Sequence, residues 1–560
     1  MPSARAARGR CRRAPRVLLA VLATLASCLA WAQTSPEPPL PAYPLERLVP
    51  GTLGYGLTEG PGGSIERFEV EVVVLQRGLG PAGLSLVLIQ TRGAVIDAGG
   101  GVAAGMSGSP VYLDLDGERA LLGAVGYVFP DTSGALALVT PIDAMREQTA
   151  AASRGAVELP TGVVPVATPL LVAGLGGRAL GLLDELVLPR AALPFVSVQG
   201  GGAAARPSAS SESAALQPGS AIGIALVRGD VDIAAIGTVT ETDGDRVLAL
   251  GHPFFGTGSS GWLLSAATVN AIVPSRVVPF KLAELDDRVV GTVTEDRPAG
   301  VAARLGTSSS TIDVSVLVDV HGTRQTLHFE VVADETLWPG LVAVATLEAL
   351  DRVWQRTSSG SARLAWELSL DGGPPLRMLD EISHGSDVTL AAARLAGAPL
   401  AVLARNPFER PLPTALQLLI ELEDRRRDAE LVEALVERGP VRAGESVGLF
   451  LRLQPWRRQS EVRTLTVRLP ETLPSDATLV VRGAAEPRDD EHEGGVDGLI
   501  LSYAELLTVL REHSRSGDLV VEVRGVDGRW EVLERLSLPY LVRGVERIEL
   551  DLEADDEPQE

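Results

Sequence analysis

Two short boxes combine residue types that can make and break a bond at a carbonyl carbon. The first, residues 99–110, reads GGGVAAGMSGSP. A serine nucleophile needs a tight turn that presents its oxygen and aims backbone N–H groups at the developing oxyanion. Small residues on both sides of Ser107 permit such a turn. Gly105 and Gly108 relax the φ/ψ limits and let a substrate carbonyl come close. The second box, residues 248–255, reads LALGHPFF. Of six histidines, His252 is the one at the end of a strand-like run beside Gly and Pro. An imidazole held there can take a serine proton and return it to a leaving amine. The other five read as structural or solvated.

Other chemistries find little support. Neither H-x-x-x-H nor H-E-x-x-H occurs, so no metal is expected, and no cofactor is called for. Residues 256–261, GTGSSG, match G-x-G-x-x-G, but Lys281 stands about 20 residues on, where a dinucleotide fold uses an acid. The G-x-S-x-G elbow fails because Ser109 occupies its last glycine.

The elements around these boxes read as short strands. Apolar runs at 68–75, 84–90 and 121–128 flank the serine box, with Asp116-Gly117 as a hairpin turn. Runs at 221–227 and 233–250 carry the histidine box, the latter folding back at Asp243-Gly244. The Gly/Ala/Ser-rich stretch 199–215 reads as a linker between two halves. Pro339 suits the first turn of a helix running toward Gln355. Beyond about residue 364, alternating runs predict a β-sandwich, and Ser502 with Glu505 forms a capping box before Leu506, Leu507 and Leu510.

Composition agrees with a mainly β chain: 59 glycines and 38 prolines stand against 4% aromatic residues. The net charge of -22 argues against nucleic acid as a partner. Residues 1–32 hold six arginines, no acid, and an apolar run at 17–30 ending in A-W-A, the pattern of an export signal. Its removal leaves 44 basic and 72 acidic residues, -28. A second reading takes Leu25-Ala26-Ser27-Cys28 as a lipobox, with membrane attachment through a lipid on Cys28. Both cysteines, Cys11 and Cys28, lie in this segment, so the exported chain has no disulfide. The expected location is the periplasm, cell envelope or exterior. The expected organisation is a signal at 1–32, a Pro-rich lead-in at 33–47, a catalytic unit at 48–345, a β-rich unit at 346–545 and an acidic tail at 546–560.

The serine box with LLGAVGYVF, and GTVTETDGDRVLALGHPFF, resemble the SpoIVB-type serine peptidase family over roughly residues 48–345. Ser107 is third in G-x-S-G-x-P, the arrangement around the nucleophile of chymotrypsin-like proteases, and the amides of Gly105 and Ser107 would then form the oxyanion hole. The resemblance implies an exported endopeptidase with a chymotrypsin-like double β-barrel, Ser107 as nucleophile and His252 as base. The sporulation members place the histidine box first, so the half-barrels here are in exchanged order. They also carry a PDZ module, which this sequence lacks. Where they place an acid before the serine box, this chain reads Thr91-Arg92. Asp296, some forty residues after His252, is the favoured third member; Asp97 and an acid-free dyad are the alternatives. The leading expectation is therefore a serine endopeptidase acting on a protein or peptide, including itself. The competing one is a protease-like module that binds or scaffolds without catalysis.

Overall fold

The computed structural model describes residues 39–129, 135–147, 162–190, 195–199, 216–275, 277–486, 502–512, 517–526 and 528–553. Residues 1–32, expected to be an export signal, and residues 200–215 of the expected linker lie outside them.

Alternation of apolar and polar residues builds the first barrel. In β2 (Ile65–Gln76), Phe68, Val70 and Val72 point into the core while Glu69 points outward. Its companions are β1 (Leu53–Glu59), β3 (Leu86–Arg92), β4 (Pro110–Leu115), β5 (Glu118–Val128) and β6 (Leu136–Pro141). Asp116 and Gly117 both adopt positive φ, 57° and 92°, as a two-residue hairpin turn between β4 and β5 requires. The six strands close antiparallel in the ring order β1-β2-β3-β6-β5-β4, and β4-β1-β2-β3 is a Greek key. From residue 39 the lead-in is docked on this barrel: Leu121 N–H donates to Pro41 O and Tyr43 N–H to Leu121 O, both at 2.9 Å.

The connecting stretch contributes β7 (Val164–Pro165), β8 (Thr168–Ala173) and β9 (Phe195–Gln199). A second barrel follows: β10 (Ala221–Gly229), β11 (Asp232–Asp243), β12 (Arg246–Ala249), β13 (Gly258–Val273), β14 (Phe280–Arg297) and β15 (Gly300–Leu305). Its ring order is β10-β11-β12-β15-β14-β13, also antiparallel throughout. Renumbered from its first strand, this is the same winding as the first barrel. The expected mainly β, double-barrel fold is thus present. Buried Glu59 at the end of β1 ties the barrels together, accepting from Ala221 N–H at 2.8 Å and Val269 N–H at 3.0 Å.

The expected boundary at 345/346 needs correction, because it falls inside the helix Trp338–Trp354. The far end of β10 pairs with Thr323–Val332, and the sheet continues through Thr311–Val320, Pro413–Glu423, Gly360–Leu370 and Leu376–His384. The helices Trp338–Trp354 and Val388–Ala404 share one continuous core with this extension and the second barrel. The sandwich begins only at Asp428. Its sheets, Glu461–Arg468, Ser446–Pro455, Asp428–Val436 and Leu541–Arg543 against Trp530–Ser537, Asp518–Arg524, Thr478–Gly483 and Val545–Glu549, enclose a separate core. The tail boundary at 546 is likewise corrected: Val545–Glu549 is a strand, with Ile548 and Leu550 packed on that core. Ser502 Oγ accepts from Glu505 N–H at 3.2 Å and caps the helix Tyr503–Glu512. That helix buries Leu506 and Leu510 in the larger core rather than in the sandwich.

Candidate active site

The two boxes occupy the same place in the two barrels. Ser107 lies on the connection from third to fourth strand of the first barrel, and His252 on the connection from third to fourth strand of the second. The identical winding brings these connections face to face. Thr238 N–H of β11 donates to Ser107 O at 2.9 Å, and Leu250 N–H reaches Thr238 O at 3.5 Å. A Cβ on Gly108 would lie 2.6 Å from Leu250 N, so only glycine lets the boxes approach this closely.

The serine turn is pinned through its carbonyls. Ala104 O accepts from Lys281 N–H and Met106 O from Ser109 N–H, each at 3.0 Å. A trans peptide points its N–H opposite to its carbonyl. The N–H groups of Gly105 and Ser107 are therefore turned away from these partners, and neither donates a hydrogen bond among the described residues. The neighbouring amides of Met106, Gly108 and Ser109 all do. These free donors are the pair expected for an oxyanion. Gly105 and Gly108 hold φ of 89° and 94°, conformations natural to glycine.

Three buried residues that sequence reasoning missed support this turn. Thr238 Oγ1 donates to Gly105 O and Thr240 Oγ1 to Gly108 O, both at 2.8 Å. Lys281 Nζ donates to Thr58 Oγ1 at 2.7 Å and to Thr238 Oγ1 at 3.3 Å. Burial lowers the Lys281 pKa to about 7, opposed by Glu59 and Glu66. The alternating GTVTETD run pointed to a strand, but nothing local showed which barrel its threonines would face. Lys281 carried no local signal at all.

His252 follows strained backbone. Leu250 has φ 67°, unusual for a bulky residue, and Gly251 repeats that angle. Thr140 Oγ1 anchors the turn by donating to Gly251 O at 2.5 Å. His252 Nδ1 lies 2.8 Å from Pro253 O, and a carbonyl only accepts, so Nδ1 carries the proton and Nε2 keeps the lone pair. That is the tautomer a general base needs. Burial pushes the His252 pKa down to about 4, with the carbonyls of Pro253 and Val166 opposing. Ser107 and His252 are wholly buried, and neither Ser107 Oγ nor His252 Nε2 has a hydrogen-bond partner among the described residues. The bond between them is not formed in this state.

The expected role of Asp296 is corrected. Its carboxylate does not touch the imidazole. Oδ1 accepts from Phe254 N–H at 2.6 Å, and Oδ2 from the amides of Phe255 at 2.7 Å, Gly256 at 2.6 Å and Thr257 at 3.3 Å. Asp296 organises the loop after His252, with both carboxylate oxygens accepting from backbone amides. Burial raises its pKa to about 6 while the four amides pull it down. Asp97 is exposed on the short helix Ala94–Gly99 and cannot reach the histidine. The Pro253 carbonyl holds the imidazole instead. Among the described residues no cluster suited to a metal ion occurs, and no helix is long and apolar enough to cross a membrane. Comparison of the chain with family models, curated proteins and solved structures returns no match.

Proposed function

We propose that the protein is an exported serine endopeptidase of the SpoIVB type, cleaving protein or peptide substrates through an acyl-enzyme on Ser107. The observation that carries this reading is the pair of unbonded amides, Gly105 and Ser107, on a buried serine turn packed against the turn that leads into His252, whose Nδ1 is held by a carbonyl. Ser107 Oγ attacks the substrate carbonyl carbon as its proton passes to His252 Nε2. The oxygen gains charge and takes hydrogen bonds from the two amides. The C–N bond then breaks, the imidazolium protonates the departing amine, and water enters by the same path to release the acid. In this reading no acidic residue completes a triad, and the Pro253 carbonyl steadies the imidazolium. Export follows from residues 1–32, and the sandwich serves binding of substrate or envelope.

A second reading has a specific observation of its own: Ser107 and His252 are wholly enclosed and not bonded to each other. A non-catalytic binding or scaffolding module would show the same. Labelling with a fluorophosphonate probe separates the two. Labelling that disappears in Ser107→Ala and falls sharply in His252→Ala supports the peptidase. No Ser107-dependent labelling under any condition removes it.

A further inference from the structure

The serine box does not end the pairing along its edge of β5. Ser109 O accepts from Val125 N–H at 3.0 Å, and Gly108 N–H donates to Val125 O at 2.8 Å. At the next residue the partner changes. Val166 N–H donates to Gly126 O at 2.9 Å, and Tyr127 and Val128 pair antiparallel with Pro165 and Val164. The chain between the barrels thus takes up the edge where the serine box leaves it. It then crosses the junction to pair with β11, from Leu170 opposite Ala235 to Ala173 opposite Asp232. On the way it passes close to the serine turn and the histidine. The Val166 carbonyl is near enough to His252 to favour its protonated form, and a Cβ on Gly105 would lie 3.2 Å from Pro169 Cγ.

Adding an extended peptide to an open strand edge is a general way of binding one: main-chain hydrogen bonds hold it and alternate side chains fill pockets. Within residues 163–169, VVPVATP, residues 164–166 pair in that manner, and Val163, Pro165, Val166, Thr168 and Pro169 are buried. Yet they leave polar atoms unserved. Of the eight buried side-chain nitrogens and oxygens without a partner among the described residues, four are Ser107 Oγ, Ser109 Oγ, His252 Nε2 and Thr168 Oγ1. Native proteins rarely leave such groups unpaired, and a catalytic role is one of the explanations for those that are.

We infer that residues 163–169 are a built-in occupant of the peptide-binding edge at residues 126–128, and that Ser107 reacts only when this segment withdraws. The inference rests on the peptidase reading. It also names the substrate class: an extended, uncharged peptide of small and β-branched residues, matching the segment it replaces. A charged peptide would have to enter a groove whose occupant carries no charge.

The test uses the full chain in three forms: wild type, Val166→Asp and Val166→Ala. Val166→Asp puts a charge against the first-barrel core on which the Val166 side chain packs, and Val166→Ala removes that packing while keeping the amide. Hydrogen exchange reports release of residues 163–169, and a fluorophosphonate probe reports access to Ser107. The expected result is lost protection in that segment with labelling at least tenfold faster than wild type for Val166→Asp, and an intermediate gain for Val166→Ala. Ser107→Ala in either background abolishes the signal. Should Val166→Asp fail to fold, Val166→Ala decides alone. Labelling of wild type as fast as that of the folded variants overturns the self-blocking inference and leaves the peptidase intact. A released segment with Ser107 still unlabelled overturns the peptidase reading itself.

Discussion

Replacing Asp296 tests whether it serves the histidine's chemistry or the histidine's loop. In Asp296→Ala four backbone amides lose their acceptor. Those of Phe254 and Phe255 belong to buried residues, whereas Gly256 and Thr257 are partly exposed and can turn to water. A buried donor left unpaired costs about 1–3 kcal/mol, so two of them predict a loss of about 4 kcal/mol. For a unit of 150–250 residues each kcal/mol moves the midpoint by about 2–4 °C, giving a drop on the order of 10 °C in the transition that contains the second barrel. Asp296→Asn keeps one acceptor, and its amide can sit where Oδ1 meets a single donor, so its loss is about half as large. Calorimetry of both variants, with fluorophosphonate labelling in parallel, reads the two effects together. In both, stability and labelling fall together. Asp296→Asn with an unchanged midpoint and labelling reduced a thousandfold would refute the argument and restore the acid to a triad.

Gly108→Ala should remove labelling and destabilise by about 3 kcal/mol, since its Cβ meets the backbone of Thr238 and Leu250 and φ is 94°; chemical denaturation checks this. Labelling of an open form such as Val166→Ala should fail as pH drops through a point well above 4 and nearer the ordinary 6.5, because withdrawal of residues 163–169 exposes His252 and relieves the burial that lowers its pKa. The same depression makes His252 a source of stability that is full above its ordinary 6.5 and lost as pH falls through about 4. Lys281, lowered from 10.5 to about 7, contributes stability that is full above 10.5 and lost as pH falls through about 7. Lys281→Met should flatten that dependence, worth about 1.4 kcal/mol per pH unit between these values, in melts at pH 7 and 9.

What the sequence made legible was local. The Asp116-Gly117 turn, the runs of β2 and β11, the helix after Pro339 and the cap at Ser502 each declare themselves within a few residues. The two boxes were equally visible, since a glycine-flanked serine and a strand-end histidine are short patterns. The missed features depend on partners far along the chain. Nothing within Thr323–Val332 tells that it pairs with β10, so the sheet extension was divided at 345/346. Asp296 was placed at the right strand end but given the wrong partner, because amides have no residue type to read. The Pro253 carbonyl escaped for the same reason, and Lys281 looked like any strand lysine until Thr238 and Thr58 closed on it.

The two barrels wind alike, and each supplies one reactive group from the corresponding turn. Neither half is an enzyme by itself under this reading. On a chain made from its N-terminus, the barrel with the serine can close well before the residues carrying the base exist. Hydrolysis then becomes the output of an AND gate whose inputs are two completed folding events and the departure of the strand between them. For a peptidase, a stalled, truncated or half-folded copy would then be harmless to its neighbours, and the appearance of activity would double as a report that the whole pair has been assembled.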